Sequence, residues 1–281
     1  MFNMDFYKKA ELLHLSTLIE NKCNIKTVIR EHITRTKTQK YHLYISDESL
    51  KDFIDLINTY YDSNLIIKKP SVIYAPGSKE FSILIGLLLG DGSLSLSTGF
   101  TGTARYEHTC KHYDFLAALS DQWLPLYFEK SSATPWPKEN PTQWWRGSQM
   151  LPELFDLYTL WYKPECVNGK KVKIIPLNLL ETNFNEISLA HWFMDDGYFY
   201  NRDKTFYFCT DNFTFVECEF LAKLLHKKCN IKATVNKRTT TVNSITTTMW
   251  RIRVSRSSVC LFRQLVKPYL LPVFYYKLGS E

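Results

Sequence analysis

The chain has 281 residues, of which 45% are hydrophobic and 22% are charged. This balance is typical of a folded globular protein with one large domain or two modest ones. The formal net charge of +7 is compatible with an anionic partner but does not identify one. The seven cysteines are odd in number and include no C-x-x-C pair, which excludes an ordinary secreted disulfide scaffold and favours a reducing compartment.

Neither the apolar runs nor the N-terminus indicate a membrane or a secretory route. The longest apolar run, residues 81–89, is too short to cross a bilayer, so we expect no membrane association. The first residues carry acids early and contain no long apolar stretch. We therefore expect neither a signal peptide nor a transit peptide.

Residues 1–70 resemble a segment near the end of the chain. The sequence Cys23-Asn-Ile-Lys26 recurs as Cys229-Asn-Ile-Lys232. After a three-residue shift, further identities pair Ser46 with Ser255, Phe53 with Phe262, Leu56 with Leu265, Tyr60 with Tyr269 and Lys68 with Lys277. We predict that residues 1–70 form a partial αββα module, the tail of a larger repeated unit; chance similarity is the alternative. Pro70, Pro76 and Gly77 mark a linker at residues 71–80.

From residue 81 onward, one order of elements is predicted twice. Each copy starts with an apolar helix that ends in aspartate and glycine, Asp91-Gly92 in the first and Asp196-Gly197 in the second. Alternating and aromatic-rich stretches predict strands at 93–97, 104–109 and 144–147, then within 198–209, 231–235 and 246–254. Helical periodicity predicts helices at 112–126, 152–162, 214–228 and 257–269. The two half-modules are therefore expected at residues 81–175 and 176–281.

The two Asp-Gly helix ends are the strongest chemical signal. Gly86 and Gly90 on the first helix, and Ala190 on the second, are small enough for close parallel packing with Asp91 beside Asp196. Two adjacent carboxylates repel unless cations neutralise them, and Mg²⁺ prefers such ligands. Bound metals of this kind support in-line attack of water on a phosphodiester. A single Asp-Gly is more simply a helix cap and turn, so the hypothesis depends on the repetition.

Both motif segments resemble a known family. Leu84-Ile-Gly-Leu-Leu-Leu-Gly-Asp-Gly92 and Leu189-Ala-His-Trp-Phe-Met-Asp-Asp-Gly197 are similar to the two motifs that name the LAGLIDADG homing endonucleases. The similarity is to single-chain, two-motif enzymes of organellar group I introns, and it covers about residues 81–279 through matches at 105–116, 173–176, 209–214 and 267–272. The resemblance implies an α+β fold with two pseudo-symmetric αββαββα half-modules and saddle-shaped antiparallel sheets, here preceded by the partial αββα module.

The resemblance also implies the site residues. Asp91 and Asp196 would be the catalytic acids and, with the residues directly before them, Gly90 and Asp195, the metal ligands. The metal would be Mg²⁺, with Mn²⁺ as a substitute. Lys173 and Lys277, which follow the closing helix of each half, would orient the attacking water or stabilise charge on the phosphate. Solvated surface lysines are the alternative for both.

Three further polar residues near the motifs have open or different roles. His108 stands where the family often has Gln, and Asp211 occupies the corresponding place in the second half. His108 is either an acid–base group or a hydrogen-bonded structural histidine. His191, inside the second motif helix, is expected to pack or hydrogen-bond at the helix interface rather than bind metal.

Cations are concentrated in the strands of the second half. One face of each sheet must cover DNA if the other packs on helices. Arg251 and Arg253 alternate along a strand, so they share a face that can contact a major groove. A solvated edge strand protected by positive charge is the alternative. The predicted DNA-binding residues are Arg105, Arg146, Arg202, Lys232, Lys237, Arg238, Arg251 and Arg253.

Together these features predict a monomeric, metal-dependent endonuclease for double-stranded DNA. Its site would be long and non-palindromic, because the two halves differ in sequence. We expect it in an organelle, with the mitochondrion as first choice and the chloroplast as the other, where it would promote homing of a group I intron. The alternatives are an RNA-binding splicing maturase on the same fold, with intron RNA as partner, and an inactive remnant. Retention of Asp91 and Asp196 favours the nuclease.

Overall fold

The structure, a computed structural model, describes residues 9–33, 39–60, 74–96, 102–129, 132–164, 171–242 and 245–279. Contacts divide these residues into two compact units, one of residues 9–60 and one of residues 74–279. The predictions made for Lys68, Pro70, Ser97 and residues 71–73 concern positions outside the described ranges. No helix within those ranges is both long and apolar enough to cross a membrane. The boundary expected between residues 175 and 176 falls inside the second unit and stays a prediction.

The first unit has the predicted αββα order. Its elements are α1 (Lys9–Cys23), β1 (Thr27–Ile33), β2 (Gln39–Ile45) and α2 (Leu50–Tyr60). The two strands pair antiparallel, with Thr27 opposite Ile45. Leu12, Ile25 and Leu43 are the buried apolar residues among the described part of this unit.

The second unit contains two four-stranded antiparallel sheets, each introduced by one of the motif helices. Its helices are α3 (Lys79–Leu89), α4 (Tyr113–Ala118), α5 (Pro152–Trp161), α6 (Leu177–Asn183), α7 (Glu186–Asp196), α8 (Phe215–Cys229) and α9 (Val259–Val266). Its strands are β3 (Ser93–Leu96), β4 (Ala104–Cys110), β5 (Thr134–Trp136), β6 (Gln143–Gly147), β7 (Gly197–Tyr200), β8 (Thr205–Phe208), β9 (Ala233–Val242) and β10 (Ile245–Val254). The strand orders are β3-β4-β6-β5 and β7-β8-β10-β9. The predicted order of helix, two strands, helix, two strands and helix therefore occurs twice.

In each sheet of the second unit, side chains on one face pack on helices of that unit and those on the other face are less buried. In β10, Ile252 and Val254 are fully buried, whereas Arg251, which precedes Ile252, and Arg253, which lies between the two, are not. Side chains alternate between the two faces of a strand, so this pattern separates a helix-packed face from an open face. We call the side of the second sheet that carries Arg251 and Arg253 its open face. The open face of the first sheet is the side that carries Arg105.

One predicted helix, at residues 112–126, differs in the structure. Helix α4 ends at Ala118, a π-helical turn follows over Leu119–Trp123, and a short 3₁₀ helix spans Pro125–Tyr127. The Ser120 hydroxyl donates to the Leu116 carbonyl, a contact that competes with regular helical bonding. Pro125 has no N–H to continue the α-helix.

Helices α3 and α7 approach closely through glycine. A Cβ placed on Gly86 would lie 2.4 Å from the Ser188 carbonyl oxygen and 2.8 Å from the His191 Cβ. A Cβ on Gly90 would lie 2.5 Å from the Asp195 Cβ. The small residues predicted on the first helix are therefore confirmed. The nearest atoms of α7 belong to Ser188, His191 and Asp195 and not to the predicted Ala190, because those three residues share one face of the helix at i, i+3 and i+7.

Gly86→Ala is expected to destabilise the protein by about 2 kcal/mol or more, because the added methyl group overlaps backbone of α7 and the helices must separate. Urea unfolding of the variant measures this loss. Lys79→Ala, an exposed change on the same helix, is the control and should have little effect. A loss for Gly86→Ala no larger than for the control would contradict the close packing.

The turn after α1 and the turn after α8 have the same geometry. Asn24 and Asn230 both adopt the left-handed conformation, with φ of 55° and 56°. The backbone N–H of Lys26 donates to the Ser49 hydroxyl at 3.0 Å, and that of Lys232 donates to a serine hydroxyl, Ser258, at the same distance. The two segments thus share a helix end and the anchoring of the following strand.

Candidate active site

The C-terminal ends of α3 and α7 meet beside the two Asp-Gly pairs. The Asp91 N–H donates to the Asp195 carboxylate at 3.2 Å, so the two motif ends are joined directly. Burial first, and then the negative charge of Asp91, raise the pKa of Asp196 to about 7. Burial also raises the pKa of Asp195 well above its usual range, again with help from Asp91. The three aspartates therefore form a site of concentrated negative charge.

Two lysines contact these helix ends in equivalent ways. The Lys173 ammonium donates to the carbonyls of Gly90 and Gly92, at 3.0 and 2.7 Å. The Lys277 ammonium donates to the carbonyls of Met194 and Asp195, the latter at 3.0 Å. Burial lowers the pKa of Lys173 to about 8 and lowers the pKa of Lys277. Neither is a solvated surface lysine, so that alternative is wrong.

Gly90 and Asp195 differ from Asp91 and Asp196 in what they can offer a metal. The Asp195 side chain is 3% exposed and lies 3.5 Å from the His108 Nε2, and it also accepts from Asp91. Its carboxylate therefore links the two helix ends and does not face solvent. The groups of Gly90 and Asp195 that lie beside the lysines are their carbonyl oxygens.

Asp91 and Asp196 offer carboxylates to a metal ion, but they would fill only part of its coordination shell. Asp91 is exposed, and Asp196 carries a carboxylate whose ionisation is opposed by its neighbours. A divalent cation would relieve that repulsion. Among the residues that the structure describes, no group of three or more His, Cys, Asp or Glu side chains is arranged to hold a metal ion. Two carboxylates are a ligand set on which Mg²⁺ could bind, since this ion usually takes one or two carboxylates and completes its shell with water and phosphate oxygens.

The structure favours structural roles for both histidines of the motif region. His108 is buried, and its Nδ1 lies 2.7 Å from the Tyr106 hydroxyl. Burial and the charge of Lys173 lower the pKa of His108 to about 3, so it is neutral near pH 7. His191 is also buried, with Nδ1 at 2.8 Å from the Ile187 carbonyl and its ring edge-on to Trp123. The packing role predicted for His191 is confirmed.

An open cleft of about 300 Å³ leads away from Asp91 on the open face of the first sheet. Its lining residues are Asp91, Ser93, Glu107, His108, Thr109, Gln143 and Trp145. Glu107 is paired with Arg105, whose guanidinium stacks 5.3 Å above the Trp145 ring. Arg105 therefore lies on the same face of the sheet as this cleft.

Arg146 lies on the other side of the same sheet, which corrects its predicted place on the DNA surface. It is 6% exposed, donates to the Glu129 carbonyl and packs over the Phe128 ring. Strand β6 pairs Arg146 with His108, whose side chain faces the helices. The neighbouring Trp145 takes the open face because the two faces alternate.

The open face of the second sheet carries the predicted arginines. Strand pairing sets Arg251 opposite Asn236, Arg253 opposite Thr234, and Arg238 opposite Met249. Lys237 is opposite Trp250 and therefore projects from the helix-packed side, which corrects its predicted place. Lys232 precedes β9 and lines a cleft beside α8, so it too lies away from the open face. Arg202 is exposed in the turn between β7 and β8.

Acidic partners of these arginines were missed at the sequence level. Asp211 accepts two hydrogen bonds from Arg251, from Nε at 3.0 Å and from Nη2 at 2.9 Å. The Tyr198 hydroxyl accepts a third from Arg251 Nη1 at 3.0 Å. Asp203 lies 3.7 Å from Arg253. Asp211, whose role was open, thus fixes the guanidinium of Arg251; no local spacing signals a pair 40 residues apart.

In metal-free protein, the free energy of unfolding is expected to fall as pH rises from about 4 to 7. The pKa of Asp196 is about 7 in the folded protein against an ordinary 3.8. Between these values the folded state holds a proton that the unfolded chain has lost, so stability decreases with pH, by at most about 4 kcal/mol. Asp195 contributes with the same sign, while Lys173 and Lys277 oppose the shift. Denaturation in EDTA across this range should show a smaller slope for Asp196→Asn; equal slopes would contradict the prediction.

Comparison with known proteins agrees with this geometry. A family model described as the LAGLIDADG DNA endonuclease family matches residues 81–262. The chain is 28% identical over its whole length to cytochrome b mRNA maturase bI2 of Saccharomyces cerevisiae, and it spans 64% of that protein. It is 26% identical over 72% of its length to DNA endonuclease I-ChuI of Chlamydomonas applanata, with 95% of that protein covered.

A solved structure has the same fold. The homing endonuclease I-WcaI, bound to its DNA recognition sequence, matches 81% of this chain and 97% of its own with a TM-score of 0.57 at 23% identity. The predicted α+β fold with paired antiparallel sheets is therefore confirmed.

Proposed function

Because this chain belongs to the LAGLIDADG DNA endonuclease family, we propose that it cuts both strands of duplex DNA at a long, non-palindromic site. The observation that carries the proposal is the pair of motif ends, where Asp91 and Asp196 repel each other and each end is contacted by one lysine. Both motifs lie in one chain, so a monomer can form the whole site.

We assign the acids to metal binding and the lysines to charge stabilisation. Asp91 and Asp196 would hold Mg²⁺, or Mn²⁺ in its place, and the bound metal would supply an activated water and a counter-charge for the leaving oxygen. Lys173 and Lys277 keep ammonium groups beside the same backbone turns. From there they orient water or stabilise the phosphate as negative charge develops.

The open faces are the surfaces we assign to DNA. Arg238, Arg251 and Arg253 supply positive charge in the second half, with Arg202 in the adjoining turn, and Arg105 lies on the first sheet. Asp211 holds Arg251 in one orientation, which favours a base-edge contact over a loose phosphate contact.

Replacing both Arg251 and Arg253 by alanine is expected to weaken duplex binding, because a base-edge contact and a phosphate contact are lost. The dependence of log K on log salt should fall by about 0.9, the value for the one phosphate contact assigned to Arg253. Binding titrations at several salt concentrations measure the slope. Lys237→Ala removes one positive charge from the opposite face of the neighbouring strand and is the control for charge lost away from the DNA surface. An unchanged slope in the double variant would count against this surface.

A second candidate function is that of an intron RNA maturase. The similarity to a yeast mRNA maturase over the full length of this chain favours it, and the partner would then be intron RNA. Both functions are compatible with an organelle, and we propose the mitochondrion. A splicing assay with the parent intron tests the maturase directly.

Selection of cleaved sites from a random duplex library in Mg²⁺ tests the endonuclease and finds its target together. The expected result is one long, asymmetric sequence that is cut on both strands. Recovery of no cleaved sequence at any divalent cation tested, from protein shown to be folded, would leave the inactive remnant or the maturase as the function.

A further inference from the structure

We propose that the open face of the first sheet contains a recognition pocket for the major-groove edge of a thymine, with Trp136, Trp145 and Gln143 as its specificity-determining residues. This inference rests on the proposed function, because it requires duplex DNA on that face. In the first half of the protein, Arg105 is the predicted DNA-binding residue that lies on the open face. The pocket would add the recognition of one particular base to that face.

The pocket is a separate cleft that adjoins the one at Asp91. It measures about 360 Å³ and is lined by Thr109, Thr134, Trp136, Gln143 and Trp145. Three of these residues, Thr109, Gln143 and Trp145, also line the Asp91 cleft. A base bound here would therefore belong to the same duplex as a phosphate bound at Asp91.

Strand pairing brings the lining residues together. Thr109 on β4 and Thr134 on β5 both lie opposite Trp145 on β6. Gln143 lies opposite Trp136 at the other end of the β5–β6 pairing. The pocket is thus formed by three hydrogen-bonded strands, and its shape depends on rigid backbone and not on a loop.

The Trp145 ring is held in place before any ligand binds. Gly147 lies beneath it, where a Cβ would come within 2.7 Å of the ring, and the Arg105 guanidinium stacks on it. Trp136, by contrast, is 61% exposed. A large apolar ring exposed next to a fixed one on a binding face is a typical anchor for an apolar group of the partner.

Charge argues for a base and against a phosphate. The described residues that line the pocket carry no charged side chain, and Glu107 and Asp91 line the adjoining cleft. A phosphate would be repelled here, unlike at the arginines of the second sheet. On the major-groove edge of DNA the apolar group is the 5-methyl of thymine, and its O4 accepts hydrogen bonds. The two tryptophans suit the methyl group and the Gln143 amide suits O4.

The test removes one methyl group at a time from the DNA. In the target duplex found by selection, each thymine is replaced singly by deoxyuridine, and the Kd is measured by fluorescence anisotropy. We expect one or two positions within one half-site to lose about 3- to 10-fold in affinity, the size expected for one buried methyl group. With Trp136→Ala, uridine at those positions should cause no further loss, and Trp136→Phe should keep most of the sensitivity.

Val216→Ala, which trims another highly exposed apolar residue on α8, is the matched control and should leave the uridine effect unchanged. Duplex binding that is normal yet indifferent to uridine at every position, or a uridine effect that persists in Trp136→Ala, would overturn the pocket and leave the endonuclease proposal intact. Failure of the unmodified protein to bind any duplex would overturn both, so the two failures are distinct.

Discussion

Asp91→Asn and Asp196→Asn are each expected to reduce double-strand cleavage by about 10³-fold or more, while duplex affinity changes little. Asparagine keeps the shape of the side chain but removes the charge that would hold a divalent cation, so the water that the metal would activate would no longer be supplied. Single-turnover cleavage of the selected target, with binding measured in parallel, tests this. Asp196→Asn should also unfold at higher denaturant near pH 7 without metal, because it removes a carboxylate whose ionisation the fold opposes.

Asp114→Asn, which changes an exposed carboxylate on α4, is the matched control and should cut at the parental rate. Cleavage that survives in both motif variants would refute the metal assignment. Loss of cleavage together with loss of folding would instead assign the aspartates a structural role, which the denaturation curves would reveal.

Lys173→Met and Lys277→Met are each expected to slow cleavage by about 10²-fold, the size seen when one charge-stabilising donor is removed. Methionine retains the apolar stem but not the ammonium. Each variant also leaves two carbonyls of a motif turn without their donor, which costs about 1–3 kcal/mol of stability.

Rate and stability must therefore be measured together for the lysine variants. The expected result is a slower single-turnover rate under conditions in which both variants are fully folded and bound to DNA. Lys267→Met, at an exposed position, is the control. Parental rates in both variants would show that the lysines only brace the helix ends.

Local chemistry explains which features could be predicted. The two motif helices are continuous apolar runs, and Asp91-Gly92 and Asp196-Gly197 end them, so both were visible without tertiary information. The repeated Cys-Asn-Ile-Lys segment was visible for the same reason, because the left-handed Asn24 and Asn230 belong to a turn that a few adjacent residues determine. Alternation along β10 was enough to assign Arg251 and Arg253 to one face.

Contacts between distant residues could not be predicted in this way. The Asp195 carboxylate joins the motif ends across 104 residues, and Lys277 reaches the Asp195 carbonyl across 82. Asp211 pairs with Arg251 because β8, which Asp211 follows, pairs with β10, and neither segment alone indicates this contact.

The sequence by itself thus determined the family motifs and the order of elements, and it supplied the acids and lysines that we propose for the site. Only the tertiary structure decided which cations face outward: Arg146 and Lys237 project from the helix-packed sides, one residue out of phase with Trp145 and Arg238. The physical reason is the period of two in a strand, where a shift of one residue moves every side chain to the other face. Register is set by pairing with partner strands, which a single strand's composition does not encode.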